Sequence, residues 1–276
     1  ARPLTLTYAV LLFLAGSSHF IFMHWKVSWQ SYRDASMVRS ASATSHPHVS
    51  QEVLLIARCD IFAWCAWLLV TSLVAERGRA LHFFTVWNFI ALTVFFGLGT
   101  ALSCSCCRRV AQLEHHWQVP ASHRLLAALH RALFEVLLPM SILVAVVVWL
   151  VIFPYDVQIG DAGQLARDLG ATSLSMHALN VLAMLAEFCL DRLLLDPRNF
   201  GLLLSWAAAY CLFDGMQPAP TYFFMDFSLA KTPLVALGLT AVLLLVFGGC
   251  ALLSDAKARL MAHADPPPLD DDEEGS

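Results

Sequence analysis

Residues 134–153 read FEVLLPMSILVAVVVWLVIF, a stretch made almost entirely of apolar side chains. An α-helix needs about 20 predominantly apolar residues to cross the hydrocarbon core of a bilayer. This stretch therefore predicts a membrane-spanning helix. Six further apolar windows predict six further spans. They cover residues 4–24, 53–75, 82–104, 171–190, 200–213 and 233–254.

The composition supports the same conclusion for the whole chain. Hydrophobic residues make up 58% of the sequence, charged residues make up 14%, and the mean hydropathy is +0.65. A soluble domain is about half apolar and about a quarter charged. We therefore expect an all-α, polytopic transmembrane helix bundle with a six-helix core and one additional N-terminal helix. No basic stripe with interleaved aromatics indicates a nucleic-acid partner.

Changes in composition along the chain predict three regions. Residues 1–52 contain the additional N-terminal span, which we expect to be retained rather than cleaved as a signal peptide, and a polar linker. Residues 53–255 form the six-helix membrane core. Residues 256–276 contain three consecutive prolines and five consecutive acidic residues, so we expect a disordered acidic tail.

The distribution of positive charge predicts the orientation. Seven spans divide the 17 Lys and Arg residues into five on one side and twelve on the other. Because the positive side faces the cytoplasm, we expect a cytoplasmic C-terminus in the endoplasmic reticulum or the plasma membrane. Residues 110–131 lie on the same cytoplasmic side. Their helical spacing of apolar residues leaves two interpretations open, an amphipathic surface helix or a solvated loop.

Two predicted spans carry hydrogen-bonding pairs that suit chemistry. Thr85 and Asn88 are three residues apart, as are His177 and Asn180, so each pair lies on one helix face. Both helices enter from the external side, and all four groups are expected at a similar depth. A neutral imidazole can activate a threonine hydroxyl as a nucleophile, and the amides can orient the ring or stabilise an oxyanion. The pattern favours acyl transfer on a lipid substrate from the bilayer, without a metal or an organic cofactor.

The main alternative gives the same residues no catalytic role. Threonine hydroxyls often bond to their own helix, and polar side chains in membranes often bridge helices. The protein would then be a non-catalytic multi-pass membrane protein, such as a transporter or a signalling scaffold.

Charged residues near the predicted cytoplasmic boundary are expected to serve the structure. We expect Glu187 and Asp191 to pair with Arg192, close to the membrane surface. We expect Arg58 to extend its head group towards water, with Asp60 either as its ion-pair partner or in a contact between helices.

Three cysteines end the third predicted span. Cys104, Cys106 and Cys107 are followed by two arginines at the predicted cytoplasmic boundary, which is a context typical of palmitoylation. Zinc binding with the nearby His115 and His116 would not match the usual ligand spacing, so we predict no metal site.

Three segments in order resemble the androgen-induced gene family of multi-pass membrane threonine hydrolases. The first runs from FFTVWN at residues 83–88 to VFFG at residues 94–97. The second comprises LLP at residues 137–139 and AVVVW at residues 145–149. The third is SMH at residues 175–177, followed by an apolar run that ends in Glu187.

The resemblance implies a function and a site. Members of the family hydrolyse fatty acid esters of hydroxy fatty acids, and the family's nucleophile and histidine correspond to Thr85 and His177. Three features differ from the family pattern. Asn88 stands where the family has an aspartate, residues 172–174 lack the family's Asn-His-Gly, and the region 210–217 lacks the family's histidines.

Overall fold

The structure is a computed structural model that describes residues 2–26, 41, 44–45, 49–104, 120–226 and 228–264. Its elements are helices joined by turns, so the all-α prediction is confirmed for this part of the chain. The α-helices are α1 Arg2–Lys26, α2 Gln51–Ala75, α3 Phe84–Ser103, α4 Ala121–Val147, α5 Phe153–Ile159, α6 Ala162–Asp168, α7 Ala171–Leu174, α8 Asn180–Leu190, α9 Phe200–Met216 and α10 Thr232–Ala264.

Shorter elements with a different helical pitch connect several of these helices. The π segment Val148–Ile152 joins α4 to α5, and the π segment Ser175–Leu179 joins α7 to α8. Single 3-10 turns lie at Arg79–His82, Pro197–Asn199 and Phe223–Met225. The two π segments lie within otherwise continuous helices, where such insertions often mark functional positions.

Among the residues that the structure describes, five helical stretches are long and apolar enough to cross a membrane, so the chain is a helical multi-span membrane protein. The other two predicted spans also form helices. Helix α1 has 25 residues, of which Leu6–Ile21 is the described apolar part. Helix α9 has 17 residues, roughly 26 Å at helical rise against about 30 Å of hydrocarbon. The five stretches are Gln51–Ala75, Phe84–Ser103, Ala121–Ile159, Ala171–Leu190 and Thr232–His263.

Side-chain contacts define two ends of the bundle. At the Thr85 end, the hydroxyl of Tyr210 near the C-terminus of α9 donates to the carbonyl of His82 just before α3, at 2.7 Å. At the Arg58 end, the guanidinium of Arg58 in α2 donates to Glu187 in the last turn of α8, at 2.8 Å. Neighbouring long helices therefore run in alternating directions, as expected for seven consecutive spans.

Helix α1 packs against α9 through small residues. The Ser17 and Ser205 hydroxyls are hydrogen-bonded at 3.1 Å, and a Cβ atom on Gly16 would lie 2.7 Å from the carbonyl oxygen of Gly201. Small residues at a crossing let two backbones approach closely, which is how helices associate in lipid. The N-terminal helix is thus packed into the bundle rather than separate from it.

Two boundaries differ from the predictions. Residues from Ala121 onwards, expected in a surface helix or loop, are the first turns of α4, and His130 there is fully buried. Residues 256–264, expected in a disordered tail, continue α10 to Ala264. Amphipathic spacing alone does not distinguish a surface helix from the buried end of a span, because both show one apolar face.

The close crossing of α1 and α9 generates a stability prediction. Gly16→Ala places a methyl group against the backbone of α9, which cannot move aside as a flexible side chain could. We therefore expect a loss of about 1–3 kcal/mol of stability. Gly238→Ala in α10 is the matched control, because nothing lies within 4 Å of its added Cβ. Thermal unfolding in detergent should show a lower midpoint for Gly16→Ala only. Equal midpoints for the two variants would contradict the crossing.

Candidate functional site

A cavity of about 120 Å³ lies at the Thr85 end of the bundle. Its walls come from α1, α3, α4, α9, α10 and the segment between α9 and α10. A cavity needs a volume of about 10–15 Å³ to hold one water, so this cavity holds on the order of ten water-sized groups. The residues that line it are Tyr8, Ala9, Leu12, Phe84, Thr85, Leu143, Val144, Val147, Val148, Ile152, Leu204, Ala207, Ala208, Tyr210, Cys211, Tyr222, Phe224, Met225, Thr232, Val235, Ala236, Leu239, Thr240 and Leu243.

Thr85 reaches the cavity from the first turn of α3. This helix begins after Phe83, which makes no side-chain capping hydrogen bond, so its first N–H groups need partners from elsewhere. The hydroxyl of Tyr222 provides one, accepting from the Phe84 N–H at 3.1 Å. The backbone and the hydroxyl of Thr85 lie near the same Tyr222 oxygen, where they act to lower its pKa.

Tyr222 is a neutral phenol in this position. Burial raises its pKa to about 12, although the hydrogen bonds from Phe84 and Thr85 act in the opposite direction. A neutral phenol can donate a hydrogen bond to an oxygen that develops negative charge near Thr85. The Thr85 and Tyr222 hydroxyls therefore form the polar corner of the cavity.

The other hydroxyls on the cavity wall have protein partners. Thr240 donates to the Ala236 carbonyl of its own helix at 2.8 Å and accepts from Tyr8 at 3.2 Å. Thr232 donates to the carbonyl of Asp226, and Tyr210 is bonded across to the turn before α3, as described above. With these groups engaged, the wall presents mainly hydrocarbon to the space that it encloses. Such a wall suits an apolar chain better than a polar solute.

His177 lies beside the cavity without lining it. It is half-buried in the π segment before α8, which contacts α3. The indole N–H of Trp149 donates to the His177 carbonyl at 3.4 Å, and Val148, the residue before Trp149, lines the cavity. The Nδ1 atom of His177 is buried and has no hydrogen-bond partner among the described residues.

Both asparagines bond within their own helices, and Asn88 also bonds to a second helix. Asn88 donates to the Phe84 carbonyl of its own helix at 2.9 Å and accepts from the indole N–H of Trp206 in α9 at 3.0 Å. Asn180 is buried, and its side-chain oxygen accepts from the Val181 N–H at 2.7 Å. Of the four polar groups singled out from the sequence, Thr85 lines the cavity, His177 lies on a neighbouring element, and Asn88 bridges α3 to α9.

The Arg58 end holds a buried ion network in place of the expected surface pairs. Arg58 is fully buried and does not extend to water. It pairs with Glu187 and lies 3.8 Å from Asp191. Asp191 is also bonded to Lys257 of α10 at 3.2 Å. Asp60, which was a candidate partner of Arg58, is exposed.

Further contacts extend this network to other elements. Arg58 also donates to the Ala41 carbonyl at 2.7 Å and to Ser103 in α3. Burial raises the pKa of Asp191, which follows the end of α8. A second cluster of polar groups lies in α4, where Glu135 accepts hydrogen bonds from Arg131 and from Asn199. Buried charges of both signs in one layer fix the helix ends relative to one another.

The described residues contain no cluster of metal ligands and only one cysteine of the predicted palmitoylation cluster. In the part of the chain that the structure covers, no three His, Cys, Asp or Glu side chains come together as metal ligands. Cys104 is half-buried at the end of α3. The other two cysteines of the predicted palmitoylation cluster, Cys106 and Cys107, lie outside the described residues.

Tyr222 is a residue of the candidate site that the sequence did not predict. The signal available was the aromatic run TYFF at residues 221–224, placed between two apolar windows. Tyr222 reaches Thr85 across 137 positions of chain, so its role became visible only once the fold had brought the two together.

Comparison of the chain with protein-family models, with curated proteins and with solved structures gives no match.

The bond from Tyr222 to the start of α3 generates a second prediction. Tyr222→Phe leaves the Phe84 N–H without its partner, and we expect a loss of about 1–2 kcal/mol with faster hydrogen exchange at the Phe84 amide. Tyr155→Phe is the matched control, because the Tyr155 ring stacks on Phe223 and lies partly exposed. Unchanged exchange at Phe84 in Tyr222→Phe would rule out the capping role.

Proposed function

We propose that the protein is a membrane-embedded hydrolase of lipid esters, with Thr85 as the nucleophile and His177 as the general base. The observation that carries the proposal is the position of Thr85. Its hydroxyl stands at the polar corner of an otherwise apolar cavity, beside the neutral hydroxyl of Tyr222. This arrangement suits an ester carbonyl at the corner with a hydrocarbon chain along the walls.

The chemistry proceeds in two balanced steps. The Thr85 oxygen attacks the ester carbonyl while its proton passes to the His177 ring, and Tyr222 donates a hydrogen bond to the oxyanion. The C–O bond to the alcohol then breaks, and the imidazolium returns its proton to the leaving alcohol. Water, activated by the same imidazole, hydrolyses the acyl-threonine to the free acid and restores Thr85.

His177 supports the proposal through its unpartnered nitrogen and its backbone. A buried ring nitrogen without a partner is available to take a proton. His177 lies in a π segment, and its carbonyl accepts a hydrogen bond from the Trp149 indole. The ring therefore points in a different direction than it would on a regular α-helix. We propose that a bound ester brings the ring and the Thr85 hydroxyl within hydrogen-bond reach, since catalytic hydrogen bonds often tighten in the Michaelis complex.

The substrate class follows from the cavity and from the family resemblance. The mainly hydrocarbon walls favour a fatty acyl chain, and the resemblance implies fatty acid esters of hydroxy fatty acids. We propose that the ester enters sideways from the bilayer and is cleaved near the external interface, where water is available. In this orientation the C-terminus is cytoplasmic, in the endoplasmic reticulum or the plasma membrane.

The main rival is a non-catalytic membrane protein in which the polar residues only join helices. The Asn88–Trp206 bond is the contact that favours it, because this asparagine has a purely structural pairing. Thr85 separates the two interpretations, because it lines the cavity beside Tyr222.

The nucleophile has a direct test. We expect a fluorophosphonate probe to label the wild type and not Thr85→Ala, and we expect lipid-ester turnover to fall on the order of 10⁴-fold or more when the nucleophile is removed. Thr93→Ala is the matched control on the same helix, since its hydroxyl bonds to the Phe89 carbonyl at 2.8 Å. Equal labelling of Thr85→Ala and the wild type would reject the assignment.

The general base has a separate test. His177→Ala removes the proton acceptor, so turnover of a fatty acid ester of a hydroxy fatty acid by the purified variant should fall by about 10²–10⁴-fold. His263→Ala, an exposed histidine near the end of α10, is the control and should keep wild-type turnover. Undiminished turnover in His177→Ala, with an unfolding midpoint equal to that of the wild type, would exclude the base.

A further inference from the structure

Helix α1 supplies one wall of the cavity beside Thr85. Ala9, Tyr8 and Leu12 lie on one face of α1 and line the space. Ala9 is 2% exposed, whereas Ala15 on the same helix faces outwards. A small side chain at position 9 leaves room that a larger one would fill.

The contacts of α1 hold this wall closed. The Tyr8 hydroxyl bonds to Thr240 in α10 at 3.2 Å, and Ser17 bonds to Ser205 in α9 further along the helix. These two bonds join α1 to the helices on either side of the cavity. The outward face of α1 is apolar, with Leu11 and Leu14 more than half exposed, as suits contact with lipid.

The cavity extends from the Thr85 corner to this wall. Thr85 stands on α3, while Ala9 and Leu12 lie on α1, and both helices line the same space. An acyl chain whose carbonyl sits at Thr85 must therefore end against the residues that close the space. The volume, on the order of ten water-sized groups, is small enough for one added side chain to matter.

We propose that α1 closes the acyl-chain pocket and that Ala9 and Leu12 set the length of the hydrocarbon chain that it accepts. This inference rests on the proposed function, because it takes the cavity as the substrate's acyl site. It adds the residues that determine specificity. It also gives the N-terminal helix a role in substrate selection rather than in anchoring alone.

Opposite substitutions at the two positions test the inference. Ala9→Phe shortens the pocket, so we expect the ratio of short-chain to long-chain substrate use to rise at least ~4-fold, since burial of one methylene changes binding by about that factor. Leu12→Ala enlarges the pocket and should move the ratio the other way. Ala15→Phe makes the same change as Ala9→Phe on the outward face and should leave the profile unchanged.

Two readouts separate this inference from the hydrolase proposal. The first is photolabelling of the full-length protein in detergent by diazirine fatty acids of short, medium and long chain, which needs no turnover. The second is hydrolysis of esters with the same chains. Unfolding midpoints measured alongside show that each variant is folded.

Each outcome has one meaning. A shifted labelling profile in Ala9→Phe or Leu12→Ala, with Ala15→Phe unchanged, supports the pocket even if the wild type hydrolyses no ester. In that case only the hydrolase proposal fails. Wild-type chain preference in folded Ala9→Phe and Leu12→Ala overturns the inference. If adding Thr85→Ala to those variants still removes their ester turnover, the hydrolase proposal stands without the inference about α1.

Discussion

The ion pair between Arg58 and Glu187 is the contact on which the arrangement of the helices depends. Both side chains are buried where water cannot solvate them, so each requires the other. Removing one partner of such a pair typically costs about 3–5 kcal/mol, because the remaining charge is left buried. Lys257 and Asp191 extend the pair to α10, and Ser103 extends it to α3. This layer fixes which helices are neighbours.

Buried polar groups are paired differently at the two ends of the bundle. At the Arg58 end, charges of opposite sign neutralise each other. At the Thr85 end, hydroxyls and backbone groups pair with one another, and the spaces between helices are filled less completely. The cavity lies at this second end, and among the described residues none of those that line it forms an ion pair. Ion pairs thus hold one end of the bundle together, and the cavity lies at the other end.

The chain's sequence allowed much of the fold to be predicted. Seven apolar windows predicted helices, and helices form at all seven, because apolar runs in lipid leave the backbone no other way to satisfy its hydrogen bonds. The windows also indicated the lengths: α1 has 25 residues, and α9, with 17 residues, is short, as its window 200–213 already was. The sequence did not predict Glu187 as the partner of Arg58, because the two residues are 129 positions apart. Asp60, two positions from Arg58, was the nearer candidate.

The sequence by itself determined the class of protein and the candidate nucleophile. Hydropathy is a local property, and a threonine near the start of an apolar run is visible without any partner. Only the tertiary structure decided that Tyr222 meets Thr85, that Asn88 belongs to Trp206, and that the N-terminal helix closes a cavity. These outcomes depend on which helix faces join across long stretches of chain. Packing and the pairing of buried charges choose those faces, and no single segment contains that information.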